Sequence, residues 1–338
     1  MQKPVPHVSL TGLISLSRKA IRMTNNNDLP EKVRRSWLMA SASQVDKAVA
    51  APQSNVDVVL LDLVEFVAEK DKPTAREGLA DTVRQIKESG VDVFAQVDSE
   101  LLYADLHACV CPELTGVVIA HLESVAQVEE ADALISQLED QRGIPPGALE
   151  IVVALDTAQA NQDAFEIATA SPRITGLTLG RAELVMDLRP EPSGEIHLMQ
   201  YLMQKLITVA GAVGVPAYGA WWREPDRGLL ATPENTLAAA LRGRAIGFKG
   251  SFCVLENQVT PLNQGFTPTT QEVAEAGKLL DAFQSAVAGG AASIRQGDRI
   301  IDSGAALQAQ SLIDRAAACE AHDKAKVDAL AGRPVPAP

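Results

Sequence analysis

Residues 115–156 read TGVVIAHLESVAQVEEADALISQLEDQRGIPPGALEIVVALD. One apolar run opens this stretch at 115–121 and a second closes it at 150–156, and apolar residues recur with helical spacing between them. Both runs are continuously apolar, which is typical of parallel strands covered by helices. The stretch therefore predicts one β-α-β unit.

The same alternation of short apolar runs and longer amphipathic segments extends in both directions from this unit. An open doubly wound sheet usually has fewer than eight strands, whereas eight βα units close into a barrel. We therefore predict an α/β protein with a (β/α)8 TIM barrel. The candidate strands are SWLMA (36–40), VDVVLLD (56–62), VDVFAQV (91–97), TGVVIAH (115–121), EIVVALD (150–156), ITGLTLG (174–180), VPAYGAW (215–221) and GSFCVLE (250–256).

The segments outside the barrel carry different signals. Residues 1–34 form an N-terminal appendage that contains the polar cluster NNNDLPEK, and the barrel takes residues 35–265. Residues 266–322 predict a small C-terminal helix-hairpin-helix extension, with Thr267 or Thr269 as a helix N-cap and a turn at 296–298. Its first helix follows that cap, and its second ends near Glu320. We expect the extension to act as a lid or in oligomer contacts, and the tail 323–338 to be disordered.

Composition and charge exclude several classes of protein. Hydrophobic residues make up 46% of the 338-residue chain and charged residues 22%, which is typical of a folded protein. The net charge of −13 repels phosphates, so we expect neither nucleic acid nor an anionic membrane as a partner. The four cysteines form no CxxC pair, and we find no signal peptide and no membrane-spanning apolar run, which favours a cytoplasmic location.

Polar residues follow the predicted strands at the end where a barrel carries its reactive groups. Carboxylates that converge on one mouth repel one another, and a divalent cation resolves that repulsion. Asp156 and Glu183 end strands five and six, so both can reach one Mg²⁺. The alternative is that Asp156 caps the next helix and that Glu183 lies on a first helical turn. The rim residues are Asp62, Glu65, Gln96, Asp98, His121, Glu123, Asp156, Glu183, Trp221, Trp222, Arg223, Glu256 and Asn257.

Seven stretches carry a family resemblance. They are RRSWLMASAS, VDVVLLDLVEFVAEKDKPTAR, TGVVIAHLES, VVALDTAQA, ITGLTLGRAEL, RAIGFKGSFCVLENQVTPLNQGFTPTTQEVAEAGKLLDAF and GDRIIDS. Through their order and spacing the chain resembles the HpcH/HpaI aldolase and citrate lyase β-subunit family, from about residue 35 to residue 302. The segment VTPLNQGFTPTTQEV, with FKG before it, is the most specific part of this resemblance.

The resemblance implies a Mg²⁺-dependent TIM barrel that cleaves or forms a carbon-carbon bond in a 2-oxo or β-hydroxy acid, often as a CoA thioester. The metal, Mg²⁺ with Mn²⁺ as the alternative, would act as a Lewis acid on the oxygens of the oxo acid and stabilise the enolate formed on cleavage. The family's ligand positions, a Glu after strand five and an Asp after strand six, hold Asp156 and Glu183 here. This exchange keeps the charge of the pair, since one side chain is a methylene shorter and the other a methylene longer.

A third position of the family pattern has lost its charge. Gln96 stands where the resemblance implies an arginine that holds the oxo-acid oxygen. Removing that cation would weaken charge stabilisation of the developing enolate by a few kcal/mol unless another group replaces it. Arg181 and Arg223 are the candidates for the replacement guanidinium, and Gln96 with one of them would orient the substrate.

Four more rim residues are candidates for the site. Glu65 replaces the Asp of a Leu-Glu-Asp motif and, with Asp62, is assigned to catalysis. His121 replaces a lysine, and it can act as an acid or base near neutral pH or make a structural hydrogen bond. Of Trp221 and its neighbour, we expect one to line the substrate pocket and one to pack in the barrel. His121 and Trp221 join the two arginines as predicted substrate-binding residues.

Asp302 completes the predicted site. The resemblance implies an acidic residue that a neighbouring subunit delivers as the catalytic proton donor or acceptor, and Asp302 matches its position. The alternative is that Asp302 caps the helix that follows at Ser303. The same resemblance implies a homotrimer or a hexamer, with a small oxo or hydroxy acid as ligand and an acyl-CoA as a second candidate.

Two other functions compete with the lyase as explanations of the sequence. A catalytically inactive family member that serves as a ligand-binding or assembly subunit would also account for the changes at five rim positions. An open-sheet nucleotide-binding protein is disfavoured, because neither GxGxxG nor GxxxxGK[ST] follows the first strand. The prediction is therefore a divergent carbon-carbon lyase, with the inactive subunit as the alternative.

Overall fold

The computed structural model describes residues 32–180, 182–188, 195–222, 231–297 and 299–331. These residues form a larger unit, from residue 34 to 266 with the chain from Ala325 onward, and a smaller unit that contains residues 267–324. The strands are β1 Ser36–Ser41, β2 Val58–Asp62, β3 Asp92–Asp98, β4 Gly116–Ala120, β5 Glu150–Ala154, β6 Ile174–Thr178, β7 Ala217–Tyr218, β8 Ser251–Cys253, β9 Ile294–Gln296 and β10 Arg299–Ile301.

Helices follow most strands of the larger unit. They are α1 Val45–Ala50, α2 Lys72–Glu77, α3 Leu79–Lys87, α4 Leu102–Cys109, α5 Val125–Arg142, α6 Ala158–Gln162, α7 Ala164–Ala168, α8 Ala182–Leu188, α9 Glu195–Val213, α10 Pro233–Ile246 and α11 Val259–Phe266. Two further helices are α12 Thr270–Ala288, in the smaller unit, and α13 Ser303–Ala331, whose residues up to Lys324 belong to the smaller unit and the rest to the larger one. Among the described residues, no helix is both long enough and apolar enough to cross a membrane.

The first eight strands form a closed parallel barrel. Their order in the sheet is β7-β6-β5-β4-β3-β2-β1-β8, with every neighbouring pair parallel. A parallel bridge between Tyr218 and Gly250 closes the sheet, and the Gly219 N–H donates to the Gly250 carbonyl at 2.7 Å. The prediction of a (β/α)8 barrel is confirmed, although β7 and β8 are shorter than the apolar runs that predicted them.

The barrel interior is filled by an aromatic cluster. Trp37, Phe94 and Tyr218 point inward from β1, β3 and β7, and the ring centroid of Trp37 lies 4.8 Å from those of both Phe94 and Tyr218. Gly176 on β6 makes room for this cluster, because a Cβ there would lie 2.6 Å from the Tyr218 ring. Residues two apart on a strand share a face, so these inward positions also determine which residues face the mouth.

A buried ion network closes the amino-terminal end of the barrel. Arg34, 2% exposed, donates to both carboxylate oxygens of Glu150 at 2.7 and 2.9 Å and to Asp92 at 2.8 Å. Its guanidinium also lies over the Phe94 ring, 4.8 Å from the centroid. Burial alone would lower the pKa of Arg34, but the bond to Glu150 and the charge of Asp92 raise it above its ordinary value. The Arg34 guanidinium therefore stays charged and is fixed by its two carboxylate partners and the Phe94 ring.

The end of α13 belongs to the barrel unit and forms a second buried network. Asp57 is fully buried and accepts hydrogen bonds from the Arg35 side chain at 2.8 and 3.0 Å and from Lys326 Nζ at 2.6 Å. From the sequence, this helix was predicted to end near Glu320 and the tail from residue 323 to be disordered. The helix instead continues to Ala331, because Lys326 finds a buried partner in Asp57.

The smaller unit contains α12, a hairpin and the first part of α13. Thr269, not Thr267, is the N-cap of α12: its Oγ1 accepts the Glu272 N–H, and the Glu272 carboxylate accepts the Thr269 N–H at 2.7 Å. Strands β9 and β10 pair antiparallel as predicted, and Gly297 in the turn has φ of 60°. Asp298, the last residue of the predicted turn, lies outside the described residues.

Candidate functional site

The carboxyl ends of β2 and β3 direct three polar residues toward the mouth of the barrel. Counting by twos from the inward-facing Phe94 places Gln96 and Asp98 on the same face of β3. Asp62 ends β2 and pairs with Gln96 in the strand register. The strand ends were predicted to converge, and the register brings Asp62 and Gln96 side by side.

The Asp62 carboxylate accepts hydrogen bonds from the backbone of the loop that follows β2. Its Oδ1 accepts the Val64 N–H at 3.1 Å, and its Oδ2 accepts those of Glu65 at 3.1 Å and Phe66 at 2.5 Å. Burial raises the pKa of Asp62 above its ordinary value, although these hydrogen bonds and the charge of Lys72 act in the opposite direction. Asp62 thus fixes the backbone that carries the exposed Glu65, and a catalytic role for either residue stays a prediction.

Asp98 and His121 form a pair across β3 and β4. The distance between Asp98 Oδ1 and His121 Nδ1 is 3.2 Å, and the same oxygen accepts the Glu100 N–H at 3.0 Å. Burial alone would raise the pKa of Asp98, but the bond to His121, the Glu100 N–H and the charge of Lys72 hold it below its ordinary value. Asp98 is therefore an anion that orients the imidazole.

His121 adopts a left-handed backbone conformation directly after β4. Its φ of 55° is one of two positive values at non-glycine residues in the described chain, the other being at Asn55. This conformation ends the strand at Ala120, one residue before the predicted end, and turns the His121 N–H toward Asp156 Oδ2 at 2.8 Å. The Ser99 hydroxyl donates to the His121 carbonyl at 2.6 Å and helps to hold the turn.

Asp156 lies buried beyond the end of β5, with 3% of its surface exposed. The alternative that Asp156 caps the next helix is wrong, because the N-cap of α6 is Thr157, whose Oγ1 accepts the Ala160 N–H at 3.0 Å. Gly180, beyond the end of β6, packs against Asp156, and a Cβ at Gly180 would lie 2.2 Å from the Asp156 Cβ. A glycine at 180 is therefore what allows the carboxylate to occupy the space between the two strand ends.

Several predicted site residues are described only in part or not at all. Glu183 lies in the first turn of α8 after β6, but its side chain lies outside the described residues, as do Arg181 and Arg223. Trp221 is half-buried, and its carbonyl accepts the Arg242 Nε–H at 3.0 Å. Trp222 beside it is half-buried as well, so both indoles are partly exposed. Within the described chain, no group of three or more His, Cys, Asp or Glu side chains could hold a metal by itself.

Asp302 lies in the smaller unit and is exposed to solvent. Its Oδ1 accepts the Ala305 N–H at 2.9 Å, and its carbonyl accepts the Ala306 N–H at 3.0 Å. These bonds cap the start of α13, as the alternative interpretation expected. Delivery of this carboxylate to a neighbouring subunit stays a prediction.

Lys72, which was not predicted, is a buried lysine whose charge acts on both Asp62 and Asp98. Lys72 is only 4% exposed, and its Nζ lies 2.5 Å from Oε1 of Glu69, whose side chain is 82% exposed. A signal was present, because Pro73 marks a first helical turn shortly after the carboxyl end of β2. That turn places Lys72 on the side of the barrel where the strand ends converge.

Comparisons with known proteins identify the family of the chain. A sequence model of the family described as HpcH/HpaI aldolase/citrate lyase matches residues 35–255. The chain is 25% identical to citrate lyase subunit beta of Haemophilus influenzae over 288 residues, which cover 84% of this chain and 97% of that protein. It is also 25% identical to L-malyl-CoA/beta-methylmalyl-CoA lyase of Rhodobacter capsulatus over 305 residues, 85% of this chain and 96% of that one.

Solved structures share the fold. The structure of the protein CitE from Mycobacterium tuberculosis, in complex with magnesium, acetoacetate and coenzyme A, matches with a TM-score of 0.66 at 22% identity and covers 84% of this chain and 98% of that one. A citrate lyase from Burkholderia xenovorans matches with a TM-score of 0.72 at 17% identity, over 89% of this chain and 98% of that one. At these identities the two matches establish a shared barrel architecture.

Proposed function

Since the chain belongs to the HpcH/HpaI aldolase/citrate lyase family, we propose that it is a Mg²⁺-dependent carbon-carbon lyase that acts on a 2-oxo or β-hydroxy acid carried as a CoA thioester. The relatives named as citrate lyase and malyl-CoA lyase subunits support this reaction class. The observation that carries the proposal is the buried Asp156 carboxylate, which lies between the ends of β5 and β6 in space left by Gly180.

The residues around Asp156 fit a hard divalent cation. Mg²⁺ prefers carboxylate oxygens and keeps several positions for water and substrate. Asp156 would supply one ligand and Glu183, in the first turn after β6, the other. The His121 N–H fixes Asp156 Oδ2 at 2.8 Å, the kind of supporting bond that orients metal ligands. When bound, the cation would act as a Lewis acid on the oxygens of the oxo acid.

The remaining residues of the mouth would bind and orient the substrate. Gln96, 6% exposed on the inner face of β3, would direct its amide at the oxo acid, with Arg181 or Arg223 as the nearby guanidinium. Trp221 would line the pocket, and His121 would hold Asp156 in place. We assign the proton transfer to Asp302 of a neighbouring subunit in a homotrimer or a dimer of trimers.

An activity screen tests the reaction class. The purified protein should release oxaloacetate from citryl-CoA or glyoxylate from malyl-CoA, and EDTA should stop this release until Mg²⁺ or Mn²⁺ is added back. The released oxo acid is measured with a coupled dehydrogenase. No release from either thioester, together with no metal-dependent binding of an oxo acid, would instead identify the chain as an inactive ligand-binding or assembly subunit.

Gly180→Ala should lower the activity of the Asp156 site through a steric clash. The added methyl group would lie 2.2 Å from the Asp156 Cβ, so the carboxylate must move away from the His121 N–H. We expect a loss of about tenfold to a hundredfold in kcat/KM, the range found when a supporting bond to a metal ligand is removed. Steady-state kinetics on the thioester measures this effect.

Gly211→Ala is the matched control for this substitution. Gly211 lies in α9, and a Cβ there would meet nothing within 4 Å. Alanine is the better helix former, so this variant should keep full activity and gain up to about 1 kcal/mol of stability. Equal activity in the Gly180 and Gly211 variants would contradict the role given to Gly180.

A further inference from the structure

Asn161 is a buried polar side chain of α6, close to the end of β5. Only 5% of its surface is exposed. Asparagine is one of the poorer helix formers, and most asparagines lie at the protein surface. The burial of Asn161 inside a five-residue helix therefore requires a reason other than helix formation or contact with solvent.

The Asn161 amide donates to the backbone on both sides of Asp156. Its Nδ2 lies 2.9 Å from the Leu155 carbonyl oxygen and 2.9 Å from the Thr157 carbonyl oxygen. A side-chain amide nitrogen carries two N–H donors, so these two bonds use both of them. One side chain thus fixes the residue before Asp156 and the residue after it.

A further contact ties the same backbone to the loop that follows β4. The Thr157 hydroxyl donates to the Leu122 carbonyl at 3.2 Å. Leu122 follows His121, whose N–H donates to Asp156 Oδ2 at 2.8 Å. The loops beyond β4 and β5 are therefore joined at two adjacent points, one of them the Asp156 carboxylate itself.

Helix α6 is in turn held by α9. Lys205 on α9 donates through Nζ to the Asn161 carbonyl and, at 3.2 Å, to the Gln162 carbonyl. The last carbonyl groups of a helix have no partner within the helix, and a cation near them is favourable. The Asn161 amide is therefore directed at the end of β5 from a helix whose C-terminal end is fixed.

The position of the backbone largely determines where an aspartate carboxylate lies. A single methylene separates the Asp156 carboxylate from its Cα, so this side chain has fewer torsions than a longer acid with which to correct a displaced backbone. A functional constellation must be held within about 0.5 Å of its productive geometry. A residue that fixes the backbone on both sides of Asp156 therefore also fixes the carboxylate.

We propose that Asn161 is a positioning residue of the candidate metal site, which acts through Asp156. Its two hydrogen bonds hold the backbone around Asp156 and so place the carboxylate where a divalent cation binds. This inference rests on the proposed function and adds a residue that itself contacts neither metal nor substrate. Removing the amide should weaken metal binding although every ligand is still present.

Titration with Mn²⁺ alone tests this role, because the electron paramagnetic resonance signal of free Mn²⁺ reports binding without any substrate. Asn161→Leu keeps the branched shape of the side chain but has no donors. It should weaken Mn²⁺ binding by about tenfold to a hundredfold, the range found when a partner that orients a metal ligand is lost. Asn161→Ser should lose less affinity, because its hydroxyl can still bond the carbonyl of Thr157, four residues earlier.

Asn263→Leu is the matched control for the leucine variant. Asn263 in α11 is 8% exposed, and its Nδ2 donates at 2.9 Å to the carbonyl of Asn55, which precedes β2 and so lies toward the amino end of the barrel. Both leucine variants lose a buried amide and should unfold at a lower temperature than the wild type. Only Asn161→Leu should bind Mn²⁺ more weakly.

The outcomes separate this inference from the function on which it rests. If Asn161→Leu binds Mn²⁺ as tightly as the wild type, or if both leucine variants weaken binding equally, Asn161 only supports the fold and the inference is overturned. If Asn161→Leu does not fold, wild-type affinity in Asn161→Ser overturns it and weaker binding supports it. A wild type that binds no Mn²⁺ contradicts the metal site itself, so that the proposed function fails together with the inference.

Discussion

Asp156→Asn should lower kcat/KM by about a hundredfold to a thousandfold, the loss seen when a preorganised electrostatic group is removed from an active site. The amide has the size of the carboxylate, and its oxygen can still accept the His121 N–H that Asp156 Oδ2 accepts at 2.8 Å. What the variant loses is the negative charge that would hold Mg²⁺ between β5 and β6. Steady-state kinetics at several Mg²⁺ concentrations measures the loss of kcat/KM, and excess Mg²⁺ should restore part of the wild-type kcat/KM.

Asp140→Asn is the matched control for this variant. Asp140 is an exposed aspartate on α5, so the same change in charge and composition occurs away from the mouth. Its kcat/KM should stay within about twofold of the wild type, since surface substitutions usually have small effects. An Asp156→Asn protein that folds and keeps wild-type kinetics would refute the assignment of Asp156 as a metal ligand.

Asp57→Asn should destabilise the barrel by about 3–5 kcal/mol, because breaking a buried ion pair leaves an uncompensated charge. Asp57 is fully buried and accepts hydrogen bonds from Arg35 at 2.8 Å and from Lys326 at 2.6 Å. The asparagine would remove the negative charge that Arg35 and Lys326 contact and present N–H donors to them. Urea unfolding with an unchanged m-value measures the difference in the free energy of unfolding.

Asp81→Asn breaks an ion pair at the surface and serves as the comparison. Asp81 pairs with Arg84 one helical turn away, and their side chains are 72% and 52% exposed. Exposed pairs contribute at most about 1 kcal/mol, so this variant should be close to the wild type. If the two variants lost the same free energy of unfolding, the stabilising role given to the buried network around Asp57 would be wrong.

The barrel could be predicted because burial on both faces makes each strand a continuous apolar run. The run at 150–156 illustrates this, since all five residues of Glu150–Ala154 are buried. The shortness of β7 was not predictable from VPAYGAW, because only Ala217 and Tyr218 pair with β6 in the sheet. The end of α13 was missed because Lys326 is stabilised by Asp57, a partner 269 residues away in sequence.

The carboxylate rim could be predicted from strand ends, but the partners of each side chain could not. Asp156 after an apolar run reads equally well as a helix cap. In the structure Thr157 takes that role, and Asp156 instead accepts the N–H of His121, 35 residues away in sequence. The positive φ of His121 has no local sequence signal, because glycine or asparagine is the usual residue there.

Titration calorimetry with Mg²⁺ and oxaloacetate tests the central claim, a metal-dependent oxo-acid site at Asp156 and Glu183, most directly. The wild type should bind oxaloacetate only when Mg²⁺ or Mn²⁺ is present, and the double variant Asp156→Ala, Glu183→Ala should bind neither metal nor ligand while retaining the wild-type thermal unfolding transition. Oxaloacetate binding that persists without metal, or in the folded double variant, would contradict the account.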